Sequence, residues 1–246
     1  MRREIYQHGK DAFVFKNLKK AKREEKAINR MITEKQSTRK DGSSNFNVGL
    51  MGGTFDPVHI GHLVTAEEAW QQFNLDKVIF IPVGLPPHKK VEGISDAEHR
   101  YMMTLLAVIN NSRFEVSRYE IDKTTPSYTI DTIKYFKDFF GKEANIFFIT
   151  GTDAVLEILT WKNYEDLLDV CTFIAASRPG YSLEKLHQRV EGYYPQTMNK
   201  IHLLENPAMS VSSTFIRERV RENKTIKYLT TEAVEHYIYK YELYIH

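Results

Sequence analysis

The sequence predicts an α/β fold: a doubly wound parallel sheet of about six strands with helices on both faces, behind a basic N-terminal extension. Three observations predict it. From Asn47 onward, short apolar runs alternate with stretches of helical periodicity, the pattern of a parallel sheet. The chain has 246 residues, 42% of them hydrophobic, enough for one large domain or a domain with an appendage. The first apolar run leads through a loop rich in glycine and histidine into a helical pattern, and such sheets bind ligands beyond the carboxyl ends of their strands.

The extension comes first, with residues 1–46 set apart from 47–246. It holds 13 Lys+Arg against 6 Asp+Glu, whereas the rest holds 21 against 26. Val14, Leu18, Ala21, Ile28 and Ile32 fall near helical spacing among the lysines and arginines, and TEKQSTRKDGSSN then reads as a linker. A basic amphipathic helix can bind nucleic acid, a membrane surface or a partner; the plainer expectation is a solvated, partly ordered arm. Met31 is an alternative start.

The runs NVGLM, KVIFIPV, FEVSRYE, NIFFIT, CTFIAA and KIHLLE are expected as strands. Helices are expected over Leu63–Phe73, Ala97–Asn110, Tyr128–Phe140, Ala154–Leu168, Ser182–Glu191 and Thr214–Arg221. Leu63, Ala66, Trp70 and Phe73 show the period, three to four residues apart on one helix face. The order is Rossmann-like, with no internal repeat. Cys171 is the one cysteine, so an intrachain disulfide and a cysteine-based zinc site are excluded. No apolar stretch approaches the roughly 20 residues of a membrane span, and no signal-peptide core opens the chain. A cytoplasmic protein is expected.

The chemistry is concentrated in VGLMGGTFDPVHIGHLVTA, residues 48–66. Gly52 and Gly53 allow a sharp turn and close approach of a ligand to the backbone. A helix starting near Ile60 puts His59 just before it and His62 in its first turn. Free amides and the helix dipole attract anions there, and imidazoles would point their nitrogens at the same anion. Gly61 would leave room for something flat, such as a nucleotide base. Zinc is a poor fit, because a bare histidine pair lacks a third ligand and the usual general base. Asp56 is expected to hold the loop by hydrogen bonds.

GGTFDPVHIGH resembles the H-x-G-H signature of nucleotidyltransferases, and its fuller form resembles that of nicotinate-nucleotide adenylyltransferases. LPPHKK (85–90), PSYTIDT (126–132), GTD (151–153), Trp161, SRPGY (177–181), VSSTFIRER (211–219) and the YIYKYELY tail follow in that family's order. The arm is the departure from the pattern. The resemblance implies transfer of AMP from ATP to nicotinate mononucleotide, giving nicotinate adenine dinucleotide, the penultimate metabolite on the route to NAD, and pyrophosphate. The substrate phosphate is already ionised, so neither a strong base nor a covalent intermediate is required. Catalysis is expected from positioning and charge neutralisation.

By that resemblance His59, His62, Lys89 and Arg217 carry catalysis. ATP falls to Gly52, Gly53, Thr54, Phe55, His59, Gly61, His62, Gly151, Asp153, Ser213, Thr214 and Arg217. Lys89 reaches either the attacking phosphate or the ATP chain, and His88 stands beside it. Ser212, Ser213 or Thr214 caps the last helix, where Ser213 and Arg217 grip the β- and γ-phosphates. Asp153 follows a strand and suits ribose hydroxyls. Lys89, Tyr128, Thr129, Trp161 and Arg178 are expected at the mononucleotide. There the Thr129 amide meets the nicotinate carboxylate and Trp161 stacks on the pyridine; Arg178 meets either carboxylate or phosphate. Mg²⁺ is the expected cofactor, held mainly by substrate phosphates and water without a dedicated protein site.

HIGH at 59–62 and MSVSS at 209–213 also resemble the signatures of class I aminoacyl-tRNA synthetases, but about 200 residues leave no room for an anticodon-binding region. Enzymes acting on phosphopantetheine or nicotinamide mononucleotide are nearer rivals. Trp161, PSYT and Arg178 favour an anionic pyridine nucleotide. A regulator binding nucleic acid through the arm is the alternative of another class. The oligomeric state stays open, a homodimer included.

Overall fold

Runs such as VGLM and VIFIP become strands because both faces of each are buried, the burial a parallel sheet requires. In a computed structural model the described residues are 46–85, 93–141, 143–157, 161, 164–177, 199–206 and 211–245. The expectations for the arm, for His88, Lys89 and Arg178, and for a helix over Ser182–Glu191 lie outside them.

The elements are β1 (Asn47–Gly53), α1 (Ile60–Gln72), β2 (Lys77–Pro82), α2 (Ala97–Val108), β3 (Phe114–Val116), α3 (Thr129–Phe140), β4 (Asn145–Gly151), α4 (Thr152–Leu156), α5 (Tyr164–Val170), β5 (Thr172–Ser177), β6 (Ile201–Glu205), α6 (Ser213–Arg221) and α7 (Glu232–Lys240). The six strands form one parallel sheet in the order β3-β2-β1-β4-β5-β6. This is the Rossmann-like α/β arrangement that the sequence predicts. The chain winds outward from β1 through β2 to β3, then crosses back to β4. The direction reverses between β1 and β4, where Met51 pairs with Ile149; sheets of this kind bind ligands beyond the carboxyl ends at such a switch point.

Three expectations change. The run FEVSRYE pairs only as far as Val116. Beyond it the Tyr119 amide bonds Ser117 Oγ at 3.0 Å and the Asp122 amide bonds the Arg118 carbonyl at 2.9 Å; these local bonds displace the ladder. The helix expected over Ala154–Leu168 is two short helices, α4 and α5, with Trp161 between them. Each buries its own residues, Val155 in α4 and Leu167 and Leu168 in α5, so one apolar period runs through both. A helix that the sequence analysis does not predict, α7, leads into the aromatic tail; it buries Val234, Tyr237 and Ile238 on one face and packs on α2.

Candidate active site

The double glycine does not form the turn expected of it. Gly52 and Gly53 finish β1, opposite Ile81 and Pro82. The chain turns at Phe55, whose φ of 50° is left-handed. A Cβ on Gly53 would stand 2.8 Å from the Phe55 ring, so the glycine makes room for that buried ring. Phe55 then packs edge-on against His62, with centroids 5.0 Å apart.

His59 is the N-cap of α1 with extended backbone. Its amide donates to His62 Nδ1 at 3.2 Å, and its carbonyl accepts from the His62 amide at 2.9 Å. The two imidazoles stack at 3.7 Å between centroids. An accepting Nδ1 carries no proton, so His62 is neutral with its hydrogen on Nε2. Burial pushes the His59 pKa down to about 4. Burial, and then the neighbouring His59, hold that of His62 well below the usual histidine range. At neutral pH the pair offers hydrogen bonds rather than two cations. A Cβ on Gly61 would lie 3.0 Å from His59 Nδ1, so the space expected for a flat ligand is taken by His59 itself. His59 Nδ1 is buried without a hydrogen-bond partner.

A second helix start converges on the same loop. Ser212 is the N-cap of α6, its Oγ accepting from the Phe215 amide at 3.2 Å. Ser213 Oγ donates to the Pro57 carbonyl at 2.8 Å, and Arg217 Nη1 donates to the Asp56 carbonyl at 2.8 Å. Thr214 Oγ1 accepts from Arg217 Nη2 at 3.3 Å, while Arg217 Nε is buried without a partner. The sequence resemblance had brought α6 to this loop, but not the bonds that fasten it.

Residues that sequence reasoning missed complete the loop. Arg100 Nη1 donates to the Thr54 carbonyl at 3.0 Å, and Thr230 Oγ1 to the Val58 carbonyl at 2.8 Å. The carbonyls of Thr54, Asp56, Pro57, Val58 and His59 are thus all bound within the fold. Five acceptors that would repel an anion are occupied, next to two helix N-termini that attract one. Asp56 holds the loop as expected: Oδ1 accepts from Tyr244 at 2.7 Å and Oδ2 from the Ser95 amide at 3.2 Å. Arginine and threonine within a helix or turn read as solvated surface, so only the fold reveals Arg100 and Thr230.

The other expected residues lie at the same end of the sheet. Gly151 caps α4 and Asp153 lies exposed in its first turn, directly beyond β4. Trp161 is half-buried, edge-on to Phe148 of β4 and tilted against Phe173 of β5. Tyr128 is the N-cap of α3 and Thr129 its first residue; the preceding Ser127 amide bonds the Leu85 carbonyl just past β2.

No three His, Cys, Asp or Glu side chains converge among the described residues as a metal site would need. Asp56, the carboxylate of the first loop, has both oxygens engaged. The donors available, neutral imidazoles and a guanidinium, suit phosphate oxygens rather than a hard divalent ion. No helix among the described residues is long and apolar enough to cross a membrane.

A family profile described as cytidylyltransferase-like matches residues 50–219. A protein of Moorella thermoacetica named a probable nicotinate-nucleotide adenylyltransferase is 56% identical over 197 residues, covering 80% of this chain and 91% of the relative. One of the same name from Thermoanaerobacter sp. strain X514 is 52% identical, covering 80% and 93%. Among solved structures, the Plasmodium falciparum nicotinic acid mononucleotide adenylyltransferase complexed with NaAD superposes with a TM-score of 0.66 at 21% identity, over 81% of this chain and 98% of that one. That likeness confirms the fold. The cytidylyltransferase-like match and the identity to these relatives place the chain in the family of nicotinate-nucleotide adenylyltransferases.

Proposed function

We propose that the protein transfers AMP from ATP to nicotinate mononucleotide, releasing pyrophosphate and nicotinate adenine dinucleotide for NAD synthesis in the cytoplasm. The observation that carries this reading is the convergence of two helix N-termini, a neutral histidine pair and Arg217 on one loop. The mononucleotide phosphate attacks the α-phosphorus of ATP, and the bond to the bridging oxygen of pyrophosphate breaks. The nucleophile is already ionised, so the protein has no proton to remove.

What the reaction requires is alignment and neutralisation of charge on the phosphates. His62 supplies an Nε2 hydrogen and His59, stacked on it, a second imidazole toward the phosphates, where a partly desolvated setting strengthens a hydrogen bond. Arg217 and Ser213 hold the leaving β- and γ-phosphates at the start of α6. Gly52, Gly53, Thr54, Phe55 and Gly61 shape the floor of the ATP site. Mg²⁺, carried by the ATP phosphates rather than by a dedicated protein site, would offset part of the phosphate charge. Asp153, beyond Gly151, suits the ribose hydroxyls. Trp161 stacks on the pyridine, the amide start of α3 at Tyr128 and Thr129 receives the carboxylate, and Lys89 and Arg178 add positive charge.

The test mixes the full-length protein with ATP, Mg²⁺ and either nicotinate or nicotinamide mononucleotide, and measures dinucleotide and pyrophosphate. The expected outcome is equimolar formation of both products with a clear preference for the nicotinate substrate. Equal rates, or a preference for the amide, would remove the carboxylate receptor; no dinucleotide from either would remove the proposed reaction.

A further inference from the structure

Two buried charges stand behind the site: Glu120 hydrogen-bonds none of the expected ligand-facing side chains, and Arg100 reaches the ATP loop only through the Thr54 backbone carbonyl. Glu120 lies in the turn between β3 and α3, 8% exposed, and Arg100 lies in α2, 2% exposed. Burial pushes the Glu120 carboxyl above the usual carboxylate range. A buried charge is costly, and a well-packed apolar side chain is often the more stable choice. What these two hold together therefore matters.

Glu120 Oε1 accepts from Thr132 Oγ1 at 2.7 Å in the first turns of α3. The Thr132 amide donates to the Tyr128 carbonyl at 3.2 Å, so the bond reaches the N-cap of α3. The Gly84 amide also donates to the Glu120 carboxylate. Gly84 passes so close that a Cβ there would stand 2.0 Å from the Glu120 carbonyl oxygen. Next to it, the Leu85 carbonyl accepts from the Ser127 amide at 3.2 Å. Three segments meet at one carboxylate: the end of β2, the β3–α3 turn and the start of α3.

Arg100 takes the other side of the same strand end. Its guanidinium donates to the carbonyls of Val83 at 2.6 Å and Gly84 at 3.2 Å, and to that of Thr54 at 3.0 Å in the β1–α1 loop. A continuous buried path runs from Thr54 through Arg100, Gly84 and Glu120 to Thr132.

We propose that Glu120 is a positioning residue that sets the α3 N-terminus for the pyridine nucleotide, and that Arg100 ties this half of the site to the ATP loop. The proposal rests on the reading of the two substrate halves given above. Neither residue touches a reacting atom; each fixes the spacing between two loops that must present their ligands in line.

The test is steady-state kinetics on the full chain, varying each substrate in turn. Product formation by the unaltered protein checks the reaction itself, whatever Glu120 does. Glu120→Ala should raise KM for nicotinate mononucleotide roughly tenfold to a hundredfold while KM for ATP stays within about twofold. Glu120→Gln, which keeps an oxygen for Thr132, should recover most of that loss. Arg100→Lys should raise both KM values. If Glu120→Ala does not fold, Thr132→Val, nearly the same shape, should show the same selective rise more weakly. Unchanged or equally raised KM values in the folded Glu120 or Thr132 variants, no recovery by Gln, or a change in one KM alone with Arg100→Lys would overturn the proposal.

Discussion

His59 and His62 stand uncharged at neutral pH. Stacked at 3.7 Å, with His59 buried and His62 half-buried, they cannot both hold a proton cheaply. In the unfolded chain a histidine titrates near 6.5, whereas folded His59 does so at about 4. Between those values the unfolded state binds more protons, so this contribution to stability is present above pH 6.5 and is lost as pH falls. At about 1.4 kcal/mol per pKa unit, His59 removes about 3 kcal/mol by the bottom of that window. Urea unfolding of the full chain at pH 7.5 and pH 5 should show the loss, and His59→Gln should flatten the slope between them. A slope unchanged in that variant would contradict the buried neutral ring.

At the scale of elements, α6 is placed by two bonds to backbone carbonyls of the first loop, from Ser213 and Arg217. Arg217→Lys keeps the charge and loses the fork that reaches the Asp56 carbonyl and that the proposed function turns toward phosphate oxygens. A fall of about 10²–10³ in kcat/KM is expected, with little change in thermal midpoint. A loss confined to stability would make Arg217 a fastener alone. Several elements were legible because their physics is local. The runs in β1, β2, β4, β5 and β6 carry burial on both faces, and they were read to within two residues. β3 was read too long because nothing in SRYE announces that Ser117 and Arg118 will bond the turn instead of the ladder. α7 escaped because alternating aromatic and polar residues in YIYKYELY suit a strand as readily as a helix, and its packing on α2 decides.

At the scale of the molecule, distant segments meet on one loop of six residues. Arg100 in α2, Thr230 before α7 and Tyr244 after it all bond residues 54–58. α7 reinforces this from behind, with Tyr237 bonded to His99 of α2 at 2.9 Å. The residues expected to face ligand stand out in the sequence because their types, glycine, histidine and serine at strand-to-helix junctions, have few reasons to occur there together. Their supports do not, since a buried arginine or glutamate is indistinguishable in sequence from a solvated one until the fold closes around it. The anchored loop brings two helix ends together, the arrangement that the proposed phosphate site requires.

The most direct measurement is ¹⁵N NMR of the His59 and His62 side chains at pH 7, with and without ATP. The expected free state has both rings neutral and His62 protonated on Nε2, and both rings should shift when ATP binds. A charged imidazole in the free protein, or rings indifferent to saturating ATP, would contradict the phosphate site at its centre.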